Sequence, residues 1–273
     1  MATHGSAFPI AKLALNNNVP PILMASLRMG MVMLLLIPFW KFKIPDKKYL
    51  KSLILFSISM GVMVYVFMNL SLKHSSFISP IIIGAQLAVP FAVLLSAKMI
   101  GESISTKKWM YVILAFVGII IVFFDPELKN NLLGLFFASL MALFFAIAQV
   151  YSRQLKELSL IILNVYTGFF GFLVLIVVSF FVEGEVIINI KNINFESWIL
   201  ISYQAVIVSL FAHMSMFYLY KFYTVGQIFP FYSLFPIFGI ILTFLIFGEI
   251  PSILFFIGSF IVISSVILLQ KTK

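Results

Sequence analysis

The sequence predicts an all-α membrane protein: ten transmembrane helices arranged as two inverted five-helix repeats. Three observations lead there. The first is composition. Of 273 residues, 63% are hydrophobic and 10% are charged, with a mean hydropathy of +1.16. Soluble domains run about 45–50% apolar and about 25% charged, so this chain has too little charge to coat a soluble surface. The second is segmentation. A bilayer core roughly 30 Å thick needs about 20 apolar residues per helix, and most of the chain divides into runs of that size. The runs are continuously apolar rather than alternating, which favours helices over a barrel. The third is an internal echo between the two halves.

The runs are Ala2–Leu15, Pro21–Trp40, Leu50–Leu72, Phe77–Ile100, Trp109–Phe124, Leu132–Tyr151, Leu160–Val182, Trp198–Tyr220, Ile228–Phe247 and Pro251–Leu269. Asn, Pro and Gly punctuate them, as in Asn16-Asn17-Asn18-Val19-Pro20 and Gly248-Glu249-Ile250-Pro251. The first run is short for a crossing. No basic stretch precedes it, so no cleavable leader is expected.

Loop charges set the expected orientation. With the N-terminus in the cytoplasm, the cytoplasmic connections hold 13 of the 18 Lys and Arg residues and the outer connections hold only Lys73, Lys129 and Lys191. Lys12 and Arg28 lie inside spans. This split predicts both termini inside, and an even number of spans.

The echo is a Lys that ends one span, a Pro-containing span after it, and a closing Gly-Glu. It occurs as Lys73, Pro80, Pro90, Gly101-Glu102, and again as Lys221, Pro230, Pro236, Gly248-Glu249. The lysines are 148 positions apart and the glutamates 147. Five spans is an odd number, so the second copy enters the membrane upside down. The expected units are residues 1–128 and 129–273. Inverted repeats are a recurring plan of secondary transporters, with substrate bound near the midplane.

Candidate site residues follow from the cost of polar groups in lipid. His4, Phe8 and Lys12 recur at four-residue spacing and share one helix face. Lys12 either meets an anionic substrate group or extends to the outer interface. Arg28 lies deeper, and either binds a carboxylate or pins backbone carbonyls. Gln86 precedes Pro90 by four residues, as Tyr232 precedes Pro236. Each polar side chain therefore shares a face with a proline that frees a carbonyl. Pro80, Pro90, Pro230 and Pro236 are expected to bend their helices. Asn69 shares a face with Gly61 and Tyr65, while Gln149, Tyr203, Gln204 and His213 are further candidates to line a path. Glu102 and Glu249 read as helix caps.

Several function classes are excluded. The chain has no phosphate-binding loop of the Gly-x-x-x-x-Gly-Lys-Ser/Thr kind and no metal-ligand motif. It has no cysteine, hence no thiol catalysis, and no cofactor or metal is expected. Asp46 and Asp125 are the only aspartates and both lie in loops, which excludes an intramembrane Asp-pair protease. No acid lies mid-span, so a carboxylate proton relay is not expected.

The order His4-Gly5-Ser6-Ala7-Phe8, Leu27-Arg28, the two Pro-span-Gly-Glu units and Gly118 in the fifth span resembles the drug/metabolite transporter superfamily, EamA type. The resemblance covers essentially the whole chain; His4 stands where the family usually has Trp. It implies a ten-helix carrier of small metabolites, often amino acids or related compounds and often an exporter. The expected setting is the bacterial inner membrane, with membrane lipids and a small-molecule substrate as partners, no nucleic acid, and a monomer as the working state. The alternative is a membrane-embedded enzyme acting on a lipid-linked substrate, whose mark would be acids, His or Ser clustered at one interface.

Overall fold

The computed structural model describes residues 1–40, 44–100, 104–219 and 234–272. Every regular element among them is helical. Helix α1 is a pair of segments, Ala2–Gly5 and Ala7–Asn16, meeting at Ser6. There follow α2 (Pro21–Phe39), α3 (Lys47–Lys73), α4 (Ser79–Met99), α5 (Thr106–Phe123), α6 (Leu132–Gln154) and α7 (Leu160–Val182). Helix α8 (Phe195–His213) continues through Met214–Leu219, and α9 (Phe235–Phe247) and α10 (Ile253–Lys271) close the chain. A short helix, Val186–Lys191, connects α7 to α8. Eight of these helices are long and apolar enough to cross a membrane; α1 and α9 are shorter among the described residues.

The helix starts are locally encoded. Ser105, Ser159, Asn194 and Ser252 each accept a backbone N–H from the first turn of α5, α7, α8 and α10, satisfying donors that the helix leaves unpaired. Pro21 and Pro80 sit in the first turns of α2 and α4, where a missing N–H costs nothing. Pro80 therefore starts a helix rather than bending one. Pro236 is likewise in the first turn of Phe235–Phe247, and Pro230 lies outside the described residues. Pro90 is the interior proline. It cannot donate to the carbonyl four residues back, that of Gln86, and the helix tightens to a 3₁₀ turn over Ala85–Leu87 at that point.

Extensive helix–helix packing joins corresponding helices of the two repeats. Along α2 and α7, a Cβ on Gly168 would stand 3.0 Å from the Met29 carbonyl oxygen. Along α5 and α10, Gly118 and Gly258 meet so closely that a Cβ on either would be within 2.9 Å of the other's carbonyl oxygen. Small residues let backbones approach where no hydrophobic effect drives helices together. The opposite faces carry exposed apolar side chains, such as Ile113, Val117 and Ile120 on α5 and Phe256 and Phe260 on α10, suited to lipid.

A second pairing was not foreseen from the sequence. Helices α3 and α8, counterparts in the two repeats, are both π-helical at mid-length, over Ile58–Val64 and Gln204–His213. The first residues of these segments are 146 positions apart, close to the offset between the two Gly-Glu units. A π turn bonds i to i+5 and widens the helix, and such turns concentrate at functional sites.

Candidate functional site

A cavity of about 70 Å³ lies where α1, α2, α3, α4, α6, α8 and α9 converge. A water needs roughly 10–15 Å³ on this measure, so the space admits a small solute. Its polar lining comprises His4, Arg28, Tyr65, Gln86 and His213; its apolar lining includes Phe8, Met60, Met68, Met141, Phe145 and Phe235. The two π segments deliver much of this wall. The wide turn of α3 brings Met60, Val64 and Tyr65 to the cavity, and that of α8 brings Val208 and His213.

Arg28 organises the centre. It is 3% exposed. Its Nε donates to Ser209 Oγ at 2.9 Å and its Nη1 to Gln204 Oε1 at 2.9 Å. Its guanidinium carbon lies 4.1 Å from the centroid of the Tyr65 ring, a cation–π contact that strengthens away from water. Gln204 in turn donates to the Ala7 carbonyl at 2.6 Å, and Ser209 to the Gln204 carbonyl. The guanidinium is thus held rigidly by α3 and α8. Its Nη2 is buried with no hydrogen-bond partner among the described residues. His213 Nδ1 is 2.8 Å from the Val208 carbonyl, which fixes the ring, and the His4 ring meets it edge-on at 4.7 Å. Phe8 stacks parallel to Phe235 at 6.2 Å. A smaller chamber, lined by Met29, Phe56, Asn164 and Thr167 among others, shares Met60, Tyr65 and His213 with the cavity.

Of the residues expected from sequence, His4, Phe8, Arg28, Gln86 and His213 come together here. Others go elsewhere. Asn69 Nδ2 donates to the Pro21 carbonyl at 2.8 Å, tying α3 to the start of α2. Tyr203 shares a 2.8 Å hydrogen bond with Ser6 and lines a surface groove with Phe195 and Trp198. Gln149 is half-buried in α6, outside the cavity lining. Tyr232 and Glu102 lie outside the described residues. Ser209 was not foreseen: a serine in an apolar run carries no local signal of a partner in another helix.

Lys12 is also away from the cavity. Its Nζ donates to the carbonyls of Leu72 and Ser75, both at 2.6 Å, at the end of α3. It belongs to a ring of clasps at one end of the bundle. Glu249 receives the backbone N–H groups of Ile78 and Ser79 at 2.7 and 2.8 Å, on its two oxygens. Glu183 does the same for Ile22 and Leu23, also at 2.7 and 2.8 Å. Each carboxylate from the second repeat caps the start of a helix in the first, α4 and α2, where helix N-termini favour negative charge. Glu249 is thus a cap, though of α4 rather than of a helix next to it in sequence. Gly248, at φ +66°, makes the left-handed turn that ends α9 and directs Glu249 across. Asp125 adds a hydrogen bond from Ser252, and Asn131 accepts from Ser75 and Ser76.

The model of the EamA-like transporter family matches residues 1–124 and 132–270. Comparison with curated proteins gives no significant match. Among solved structures, one titled "Crystal structure of protein" is 14% identical, covers 97% of this chain and 94% of its own, and superposes with a TM-score of 0.60, a likeness of fold.

Proposed function

The chain belongs to the EamA-like transporter family, and from that premise we propose that it is a secondary carrier of a small metabolite bearing an anionic group. The class is that of carboxylates related to amino acids, and the mode is alternating access. The observation that supports this most is Arg28: an immobilised, buried cation that lines the cavity with one guanidinium nitrogen unpartnered among the described residues. A buried charge left without a counter-charge is costly, so an anion is the fitting occupant. Phe8, Met68, Met141 and Phe235 receive its apolar part; Gln86, His4 and His213 supply polar contacts. Methionines adapt to irregular shapes, which suits a solute that enters and leaves.

In this reading the loop charges favour both termini in the cytoplasm, with a bacterial inner membrane as the setting. The clasped end then faces outward. Opening there requires Glu249 to release Ile78 and Ser79, and Lys12 to release the end of α3. The carrier works as a monomer, surrounded by lipid.

Protein in liposomes is expected to move a small anionic metabolite without ATP. Gln86→Ala is expected to slow that movement severalfold and Arg28→Gln at least tenfold; normal rates in both variants would remove the proposed site. The chain has no cysteine, so single-cysteine labelling reads orientation cleanly. Lys48→Cys should react only from the cytoplasmic side.

A further inference from the structure

The carrier reading above leaves open which anions fit, and the charges around Arg28 narrow the class. We propose that the cavity takes a small apolar monocarboxylate without an ammonium group, moves it as the anion, and discriminates against the amino acid with the same body.

The case starts from what surrounds the guanidinium. Every fixed partner of Arg28 is neutral: Ser209, Gln204 and the face of Tyr65. None of the described residues lining the cavity is Asp or Glu. Among the described acids, Glu183 and Glu249 are engaged on backbone N–H groups and Asp125 on Ser252 at the clasped end, and Asp46, Glu127, Glu157, Glu185 and Glu196 are exposed. A monocarboxylate beside Nη2 therefore supplies the counter-charge that Arg28 lacks among its described partners. A zwitterion brings a second cation within a few ångströms of Arg28, in a site with no carboxylate to receive it. Like charges at such distance repel strongly away from water, and an unpaired buried ammonium carries its desolvation penalty in full. The apolar walls, with Phe8, Phe145 and Phe235 beside Met68 and Met141, accept a short hydrocarbon body instead.

A consequence follows for driving force. Among the described residues lining the cavity no carboxylate is present to carry a proton with the substrate, and His4 and His213 are the groups that could. A flux that follows the membrane potential separates movement of the bare anion from movement coupled to a proton on either ring. A carboxylate crossing as the anion moves net negative charge, and the inside-negative potential of a cell then favours its exit by up to ~50-fold per 100 mV, from about 2.3 kcal/mol per charge.

The test uses the full chain in liposomes loaded with labelled α-ketoisovalerate, valine or isobutylamine, which share one branched body, under a potassium diffusion potential set with valinomycin. The keto acid should leave, and leave faster when the interior is negative. Valine should move at least tenfold more slowly and without regard to potential, and isobutylamine not at all. Arg28→Gln should remove the keto-acid flux while keeping the melting temperature of the detergent-solubilised protein within a few degrees. Valine moving as fast as the keto acid overturns the proposal, as does a keto-acid flux independent of potential or retained in Arg28→Gln. Vesicles that pass a labelled small-metabolite extract but not the keto acid overturn the substrate class alone. Vesicles that pass neither overturn the carrier reading as well.

Discussion

The clasped end and the central cavity treat charge in opposite ways. At the clasped end, Glu183 and Glu249 each have both oxygens occupied by backbone N–H groups, and Lys12 has two carbonyls. In the centre, Arg28 is held by three side chains and keeps a nitrogen without a partner among the described residues. A charge that is fully paired within the protein fastens one helix to another. A charge that is held but incompletely paired is available to something that is not protein. The same residue types in the same membrane thus divide into fasteners and a receptor, and the division is visible only from their partners.

Substitutions sharpen this contrast. The largest effect is expected at Arg28. Arg28→Met keeps length and burial but removes the receptor charge, and should slow transport about 100-fold or more, in the range for truncating one partner of a buried charge pair; it also leaves Gln204 Oε1 without its donor, at about 1–3 kcal/mol, so the loss of transport should far exceed the loss of stability. Glu249→Ala should show the reverse emphasis. It leaves the Ile78 and Ser79 N–H groups unpaired at about 1–3 kcal/mol each, so thermal melting should fall by several degrees while substrate affinity changes little; Glu249→Gln, which retains an acceptor, should recover part of the loss. Lys12→Met removes donors from two carbonyls and should cost about 1 kcal/mol, again read by melting, with unchanged affinity. Loss of binding in Lys12→Met would move Lys12 from the fasteners to the receptor. The smallest effect is expected at the opposite end, where the Tyr49 hydroxyl bonds the exposed Glu157 carboxylate and holds it below the usual carboxylate range. Exposed polar pairs contribute little, and Tyr49→Phe should change transport less than twofold.

Much of the architecture was legible in the sequence because lipid imposes a single rule, that of long apolar helices, and because two Pro-span-Gly-Glu units stand at nearly equal offset. Part of the cavity was legible for the same reason. Arg28, Gln86, His4 and His213 are conspicuous in apolar runs, and Phe8 falls on the His4 face. What could not be read was partnership. Lys12 and Arg28 look alike as isolated cations, yet one is fastened to the end of α3 and the other faces the cavity; the deciding groups, Leu72, Ser75, Gln204 and Ser209, are 60 to 181 positions away. Asn69 and Tyr65 share a face on an ideal helix, but Asn69 reaches α2 while Tyr65 meets the cavity. The π turns were likewise hidden, since no residue type announces an i to i+5 bond.

The wide turn of α3 has a bearing on insertions and deletions. A π turn accommodates a surplus residue within an otherwise α-helical rod, and each residue of an α-helix advances the side chains by about 100°. Removing one residue from Ile58–Val64 would therefore leave the rod intact and still apolar, long enough to span, while swinging everything beyond it by more than a quarter of a circle. Tyr65 would leave the guanidinium of Arg28, and Asn69 would leave Pro21. Between two chains of this plan, a one-residue gap in the third helix is not a loop-length difference but a change of which side chains face the solute.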